Sequence, residues 1–465
     1  MSTVRSDAAA SPHRPAGPRC HCGTPIAHTP GKRPRVYCSD RCRKAAKRAL
    51  GLPVETPQKS AGEAAADATG ETAEAKTDRR LGRDRGYAST AGQKPDGGRR
   101  GARYEARETL WDVSTRKGVR HCGKTPVSGG VTTALDLRGQ GSHLGLMHCG
   151  LIWVCPVCSA KIRAVRADTL ADGSVAWCEA GHAVTLVTLT IRHYARERLR
   201  DLVKKVAAAW RRAFTGRPWK TMQDRYGIAG YARAMEVTHG EANGWHVHFH
   251  VLMFVDRRWS QDQADAFQGE AAARWADACQ AVGAYRPSNA RGVRVDILGK
   301  GADPSDMARY VMKGQDGKRA AFELADPDTK RGKNGHRTPF EILSDFVATG
   351  DADDLDLWHA YEEAMTGQRA LVWSRGMREQ LAALVELDDR TDAEIVEDDA
   401  EGMLPLALIP AETWKAHVVR HRGRSDALLH AAEDGGQQAV RALVASWGLV
   451  WGRDVLDPPE PPKVA

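Results

Sequence analysis

The chain has 465 residues, of which 42% are hydrophobic, and a formal net charge of +9. This length allows roughly two to four domains, and the hydrophobic fraction excludes a chain that is disordered throughout. The positive charge favours polyanionic partners because binding them releases counterions.

Two further features of the composition predict a cytoplasmic protein without a membrane partner. The sequence contains no apolar run of the roughly 18 residues that a membrane span requires. Its N-terminus also lacks the apolar core of a secretory signal. In the cytoplasm, the ten cysteines favour metal binding over disulfide formation.

Four cysteines in two pairs mark the first predicted module, at residues 1–50. Two such pairs, separated by a turn region rich in Pro and Gly, suit a structural Zn²⁺ with four thiolate ligands. His21 and His28 are alternative ligands, and a basic stretch after the second pair predicts contact with DNA phosphates. The four cysteines are Cys20, Cys22, Cys38 and Cys42.

Residues 51–103 are rich in Ala, Gly and charged residues, which predicts a flexible linker because so little apolar surface can be buried.

The entry region that follows, at 104–182, contains Cys155 and Cys158 in a Cys-x-x-Cys motif. This motif is half of a zinc site or a redox pair, and no thioredoxin-like pattern surrounds it. Zinc is therefore favoured, with Cys122 and Cys149 as the remaining ligands because each lies in a His-Cys-Gly sequence.

Residues 183–380 alternate between segments of strand and helix character. The strand segments are rich in β-branched and aromatic residues, and the helical segments are rich in Ala and charged residues. Strands adjacent in sequence and separate helices predict an α+β fold with an antiparallel sheet. The predicted strands are Ala183–Ile191, Arg233–Thr238, His246–Val255 and Val293–Leu298; the predicted helices are Arg198–Phe214 and Ser260–Val282.

Three histidines alternate along the third predicted strand, at positions 246, 248 and 250. On a strand, His246, His248 and His250 project from one face, while the intervening hydrophobic residues enter the core. Imidazoles in a row suit a divalent metal, and we favour His248 and His250 as the ligands. Glu236, on the preceding strand, is either a third ligand or an ordinary surface carboxylate. A site with nitrogen and oxygen ligands suits Mn²⁺ or Mg²⁺.

A short helix is predicted to begin at Asp303, because Asp followed by Pro is typical of a helix N-terminus. Helical spacing places Asp306, Tyr310 and Lys313 on one face. A tyrosine can attack a phosphodiester and retain the strand as a phosphotyrosine, provided that a cation such as Lys313 or the metal favours the phenolate. Asp306 either activates water for a second step or complements the helix N-terminus.

The remainder of the chain carries weaker signals. An acidic run predicts a linker at 381–409, and hydrophobic residues at helical spacing predict a helical region at 410–465 whose role the sequence does not define.

Three segments of the chain resemble the motifs of plasmid rolling-circle replication initiators, which belong to the histidine-hydrophobe-histidine (HUH) endonuclease class. They are VTLTI, MEVTHGEANGWHVHFHVLMFV and ARYVMKG, and the resemblance extends over roughly residues 120–375. It implies a ferredoxin-like or RNA-recognition-like antiparallel sheet with the metal histidines on a central strand, so that 183–380 is an endonuclease domain. Where related initiators carry a glutamate four residues before the tyrosine, this chain has Asp306.

The resemblance also implies a function, that of a site- and strand-specific DNA endonuclease and strand transferase. Tyr310 would form a 5′-phosphotyrosine at the replication origin and release a 3′-hydroxyl for rolling-circle replication. The implied partners are origin DNA, single-stranded at the nick, and host helicase and polymerase. A transposase or relaxase of the same class is an alternative, although relaxases commonly carry the tyrosine before the histidines. A non-catalytic, zinc-dependent DNA-binding regulator is a second alternative.

Overall fold

The computed structural model describes residues 97–297, 303–312, 336–397 and 402–458. The predicted zinc module at 1–50, with Cys20, Cys22, Cys38 and Cys42, lies outside these residues, as do Lys313 and most of the first predicted linker. Within the described ranges the chain is a mixed α+β structure, in which antiparallel sheets are flanked by helices. The predicted fold class is confirmed at this level.

None of the described helices combines the length and the apolar character needed to cross a membrane.

The strands, in chain order, are β1 (Gly130–Leu135), β2 (Gly141–Leu144), β3 (Ala183–Thr190), β4 (Ile228–Gly240), β5 (Gly244–Val255), β6 (Val293–Ile297), β7 (His336–Arg337), β8 (Leu371–Trp373) and β9 (Leu404–Pro410). The helices are α1 (Gly97–Val113), α2 (Lys117–His121), α3 (Pro156–Glu179), α4 (Leu199–Ala213), α5 (Gly216–Tyr226), α6 (Gln261–Ala281), α7 (Asn289–Gly292), α8 (Pro304–Met312), α9 (Pro339–Thr349), α10 (Ala352–Met365), α11 (Met377–Ala382), α12 (Asp392–Val396), α13 (Ala411–Thr413) and α14 (Arg424–Ser446). A π-helical turn (Trp414–Val419) joins α13 to the segment before α14.

The larger sheet has the strand order β6-β3-β5-β4-β7, and β8 pairs with β4 as well. All of its pairings are antiparallel. The two long strands β4 and β5 form a hairpin in which Glu236 faces His248 and Ala234 faces His250. β4 begins at Ile228, five residues before the predicted start at Arg233, because its first half pairs with the apolar half of β5.

The two faces of this sheet pack against different helices. On one face Val247, Phe249 and Val251 join a core that includes Trp210 of α4 and Trp275 of α6. The other face buries residues of β3, β4 and β5 against α3, α8 and α11. Because side chains alternate along a strand, the imidazoles of β5 belong to this second face, which we call the metal face.

The second sheet has the order β2-β1-β9 and joins segments that are far apart in the chain. The composition of residues 381–409 predicts an acidic linker; α12 lies within these residues, and β9, which begins there at Leu404, pairs with β1 of the entry region. The acidic run ends where an apolar segment, Leu404–Pro410, begins, and this segment finds its partner about 270 residues earlier in the chain. Helix α14 packs on the same small sheet, so that the C-terminal region and the entry region share one core.

Candidate functional site

The β4–β5 hairpin brings three ligand atoms together on the metal face. Oε2 of Glu236 lies 2.8 Å from Nε2 of His248 and 2.6 Å from Nε2 of His250, and the two nitrogens are 3.1 Å apart. The hairpin register places Glu236 opposite His248, and the two-residue period of β5 places His250 on the same face. One carboxylate oxygen and two imidazole nitrogens therefore converge on one point.

The separations between these atoms test whether a divalent cation fits. A cation with ligands at 2.0–2.1 Å in octahedral geometry holds neighbouring ligands roughly 2.8–3.0 Å apart. The observed separations of 2.6–3.1 Å match three adjacent corners of such an octahedron. Glu236, His248 and His250 can thus hold one cation and leave its other coordination positions open.

The surroundings of the three residues hold them in this arrangement. Thr188 faces His250 across the β3–β5 ladder. Its Oγ1 lies 3.2 Å from Nδ1 of His250, and this hydrogen bond fixes the orientation of the imidazole ring. Burial alone would raise the pKa of Glu236, but the adjacent His248 and His250 outweigh this effect and lower the pKa well below its usual range. Glu236 is therefore ionised and able to serve as a ligand.

His246, the third predicted candidate, lies outside this group of three. Its Nδ1 lies 2.7 Å from Nε2 of His193, a residue of the loop after β3, and its ring centroid lies 5.1 Å from that of His248. Burial, together with the nearby His248 and His193, lowers the pKa of His246 to about 3, so its ring is neutral. Sequence reasoning did not identify His193. The sequence signal that could have identified His193 is its position three residues after the Thr-Leu-Thr segment that ends β3.

The helix that carries Tyr310 lies against the metal face. α8 begins as predicted, with Oδ1 of Asp303 accepting a hydrogen bond of 2.8 Å from the backbone N of Ser305. Ala308, Val311 and Met312 of α8 are buried in the same cluster as the apolar residues that continue the metal face on β4 and β5. Asp306 is exposed on this helix. Lys313, the third predicted catalytic residue, follows the described part of α8.

A second candidate metal centre lies in the entry region, where four cysteines meet. Cys155 caps the N-terminus of α3 and Cys158 lies in its first turn, while Cys122 follows α2 and Cys149 precedes α3. Sγ of Cys122 is 3.6 Å from Sγ of Cys155 and 3.5 Å from that of Cys158; Cys149 and Cys158 are 3.8 Å apart. Tetrahedral zinc with Zn–S bonds of 2.3 Å separates its sulfurs by roughly 3.8 Å. The donor set and its spacing fit Zn²⁺.

A buried arginine lies beside the four cysteines. Arg107 is 1% exposed, and its charge interacts with Cys122 and Cys155. Two of its nitrogens, Nε and Nη2, have no hydrogen-bond partner among the described residues. Its guanidinium lies 4.2 Å from the ring centroid of Tyr104. A buried cation at this place would offset the negative charge that four thiolates carry when they bind a metal.

Gly123 makes room for this arginine and yields a testable prediction. Gly123 has φ of +63°, and a Cβ atom there would lie 2.1 Å from Nη1 of Arg107. Gly139 also has a positive φ, +76°, but a Cβ atom there would have no described residue within 4 Å. Gly123→Ala should therefore lower the free energy of unfolding by roughly 1–3 kcal/mol more than Gly139→Ala, since only the former also overpacks the core.

The measurement is urea unfolding of both variants, combined with the rate at which each releases zinc to a chelator. Gly139→Ala serves as the matched control because it carries the same backbone strain. Equal losses of stability in the two variants would show that Arg107 moves aside without cost. Faster zinc release from Gly123→Ala alone would link the position of Arg107 to the cysteine site.

Fold and site together define a class: an antiparallel α+β protein with a carboxylate–imidazole group and a four-cysteine group, each of which could hold a metal ion. Comparisons with known proteins agree with this. The family described as Replication protein matches residues 148–417, and the chain belongs to this replication protein family. The resemblance to plasmid replication initiators is thereby confirmed.

Two relatives illustrate the similarity. The chain is 34% identical to Protein rep of Streptomyces lividans over 307 residues, which are 54% of this chain and 67% of that protein. It is 36% identical to a protein named Neomycin resistance protein of Streptomyces cyanogenus over 160 residues, 29% of this chain and 37% of that protein. No solved structure matches the chain.

Proposed function

We propose that this protein is a plasmid replication initiator that nicks one strand of its origin DNA through Tyr310. The observation that carries the proposal is the placement of α8, the helix of Tyr310, on the same face of the sheet as Glu236, His248 and His250. A divalent-cation site and a tyrosine helix on one face are the two parts that strand transfer from a phosphodiester to a tyrosine needs.

Each residue has a chemical role in this proposal. Glu236, His248 and His250 would hold Mn²⁺ or Mg²⁺, which would supply Lewis-acid stabilisation of the charge that develops on the scissile phosphate. Oη of Tyr310 attacks the phosphorus and releases its proton to solvent, and the bond between phosphorus and the 3′ oxygen breaks as that oxygen takes up a proton from solvent. The products are a 5′-phosphotyrosine and a 3′-hydroxyl that a host polymerase extends. Lys313 favours the phenolate, and Asp306 activates water for the closing step.

The finer features of the fold belong to the same proposal. The antiparallel sheet with the metal ligands on β5, between β3 and β4, is consistent with a ferredoxin-like or RNA-recognition-like nuclease core. Structural zinc at Cys122, Cys149, Cys155 and Cys158 would anchor the start of α3 to α2. A second zinc module at 1–50 would add DNA contacts outside the nuclease core.

The experiment that tests the proposal is cleavage of a supercoiled plasmid carrying the cognate origin, with Mn²⁺ and with EDTA. We expect a protein–DNA adduct in Mn²⁺ only, with the protein on the 5′ end of the nicked strand. Digestion with protease and nuclease, followed by mass spectrometry, should map the nucleotide to the peptide that contains Tyr310. An adduct on a 3′ end, or nicking without any adduct, would contradict the proposal.

A further inference from the structure

Two tyrosines lie on neighbouring loops beside the metal face. Tyr194 belongs to the loop between β3 and α4, and Tyr285 to the loop after α6. The loops are joined by an isolated antiparallel bridge between Arg192 and Tyr285. Because the first loop leaves β3 at Thr190, which faces His248 across the sheet, both tyrosines lie near the end of β3 that borders the metal ligands.

The two rings form an exposed pair. Tyr194 is 47% exposed and Tyr285 48%, and their centroids are 4.5 Å apart with an interplanar angle of 84°. The guanidinium of Arg192 lies 5.4 Å from the centroid of Tyr194, and its Nη2 donates a hydrogen bond of 2.8 Å to Oη of Tyr194. Tyrosine is enriched at binding interfaces, because one end of its side chain is apolar and the other is polar. An exposed pair that is braced by Arg192 therefore suits a binding surface.

A cavity of about 620 Å³ is lined by Arg192, the residue that donates to Tyr194, and its chemistry suits a polyanion. Its lining within the described part of the chain includes Arg192, Arg291 and three histidines, and no carboxylate. Glu197, which accepts a hydrogen bond from the backbone N of Tyr194, is paired with Lys205 at 2.8 Å. The cavity is within the volume range of pockets that hold small ligands.

The cavity also lies between the loop that carries Tyr194 and His246 of the metal face, since Arg192, His193 and His246 all line it. His193, which follows Arg192, contacts His246 at 2.7 Å, and both line the cavity. The ring of His246 in turn lies 5.1 Å from that of His248. A strand whose phosphate lies at the cation site could therefore run through the cavity and bring its next bases to the exposed rings.

We propose that Tyr194 and Tyr285 form a stacking platform for unpaired bases of the strand that is cut, with Arg192 contacting its backbone. This inference rests on the proposed function and assigns the residues that hold the bases of its single-stranded substrate. Bases in a duplex already stack on one another, whereas an unpaired base offers a free face to an aromatic ring. The platform therefore selects the unwound form of the origin.

The test is binding of a single-stranded oligonucleotide and of the matching duplex, both in EDTA so that no cleavage occurs. The double variant Tyr194→Ala/Tyr285→Ala should bind the single strand roughly tenfold to a hundredfold more weakly, since stacking on one aromatic ring contributes about that factor per base. Duplex affinity should stay within about twofold of wild type under this stacking mechanism. Tyr194→Phe/Tyr285→Phe should retain binding, because the stacking surface is kept.

One control variant and two further measurements make the test specific. Leu137→Ala truncates an exposed apolar residue in the turn between β1 and β2 and should change neither affinity. Arg192→Gln should reduce the slope of log K against log salt by about 0.7, the value for one phosphate contact on a single strand. A 2-aminopurine base at the nucleotides flanking the nick should be quenched by the wild type and the Phe variant, and not by the Ala variant.

The outcomes separate this inference from the proposed nuclease function. Unchanged single-strand affinity in the Ala variant, or an equal loss for duplex and single strand, overturns the platform. Loss of single-strand affinity, together with an adduct that maps to a residue other than Tyr310, supports the platform and rejects only the assignment of the nucleophile. Thermal melting of each variant checks that these half-exposed substitutions leave the fold intact.

Discussion

Tyr310→Phe is expected to abolish the covalent protein–DNA adduct while leaving origin binding within about twofold of wild type. The substitution removes only Oη, so the apolar contacts through which α8 packs on the metal face, at Ala308, Val311 and Met312, are kept. Loss of a covalent nucleophile lowers the rate of the chemical step on the order of 10⁴-fold or more. The measurement is adduct formation by denaturing electrophoresis, beside binding in EDTA.

The matched controls are Tyr194→Phe and Tyr285→Phe, because these two exposed tyrosines also lie beside the metal face. Each should form the adduct at close to the wild-type rate. An adduct that survives Tyr310→Phe and disappears in one of the other two variants would move the nucleophile to the loops and reject the role of α8. Simultaneous loss of DNA binding in Tyr310→Phe would indicate a structural effect instead.

Local patterns in the sequence predict much of the larger sheet and of the helices that pack on it. The alternation of residues 246–250 predicts a strand that presents the histidines on one face and Val247 and Phe249 on the other. The structure has this arrangement. The Asp303-Pro304 signal locates the start of α8. The helix after Ser260 begins with a capping box between Ser260 and Gln263, again a local signal. Such features depend on neighbouring residues only, so the sequence displays them directly.

Features that depend on long-range pairing are not visible in the sequence. β9 pairs with β1 across the length of the chain, and the acidic run beside it indicates a linker instead. His193 contacts His246 from a loop, and no periodic pattern reports that contact. The sequence favours His248 and His250 as ligands, but the hairpin register alone leaves His246 and His250 equally two residues from His248. It is the approach of Oε2 of Glu236 to Nε2 of His250, at 2.6 Å, that selects His250.

That selection leads to a prediction that compares two histidines on one strand. His250→Ala should weaken Mn²⁺ binding and lower the cleavage rate by roughly 100- to 1000-fold, which corresponds to several kcal/mol of stabilisation at the phosphate. His246→Ala should keep Mn²⁺ affinity close to that of the wild type, because its Nδ1 contacts His193 and it lies outside the three-residue group. Isothermal titration with Mn²⁺ and single-turnover cleavage measure the two effects.

Two further variants separate loss of the cation from damage to the sheet. Glu236→Gln keeps the size of the side chain but removes its charge, and it should reduce Mn²⁺ affinity without lowering the melting temperature. Thr188→Val removes the hydrogen bond to Nδ1 of His250 and should cost about 10- to 100-fold in affinity, the usual effect of an orienting partner. Thr190→Val is the control, since Thr190 lies on the same face of β3 opposite His248.

The graded order of these effects distinguishes a cation site from a hydrogen-bonded cluster of side chains. If the site holds a cation, loss of His250 or Glu236 should have the largest effect, because both are ligands. Loss of Thr188, which hydrogen-bonds a ligand, should have an intermediate effect, and loss of His246 or Thr190 almost none. If the three groups only bonded to one another, Glu236→Gln would still offer a partner to both imidazoles, and cleavage would survive. Equal losses for His246→Ala and His250→Ala would place the cation between them and reject the coordination by Glu236 that the hairpin register favours.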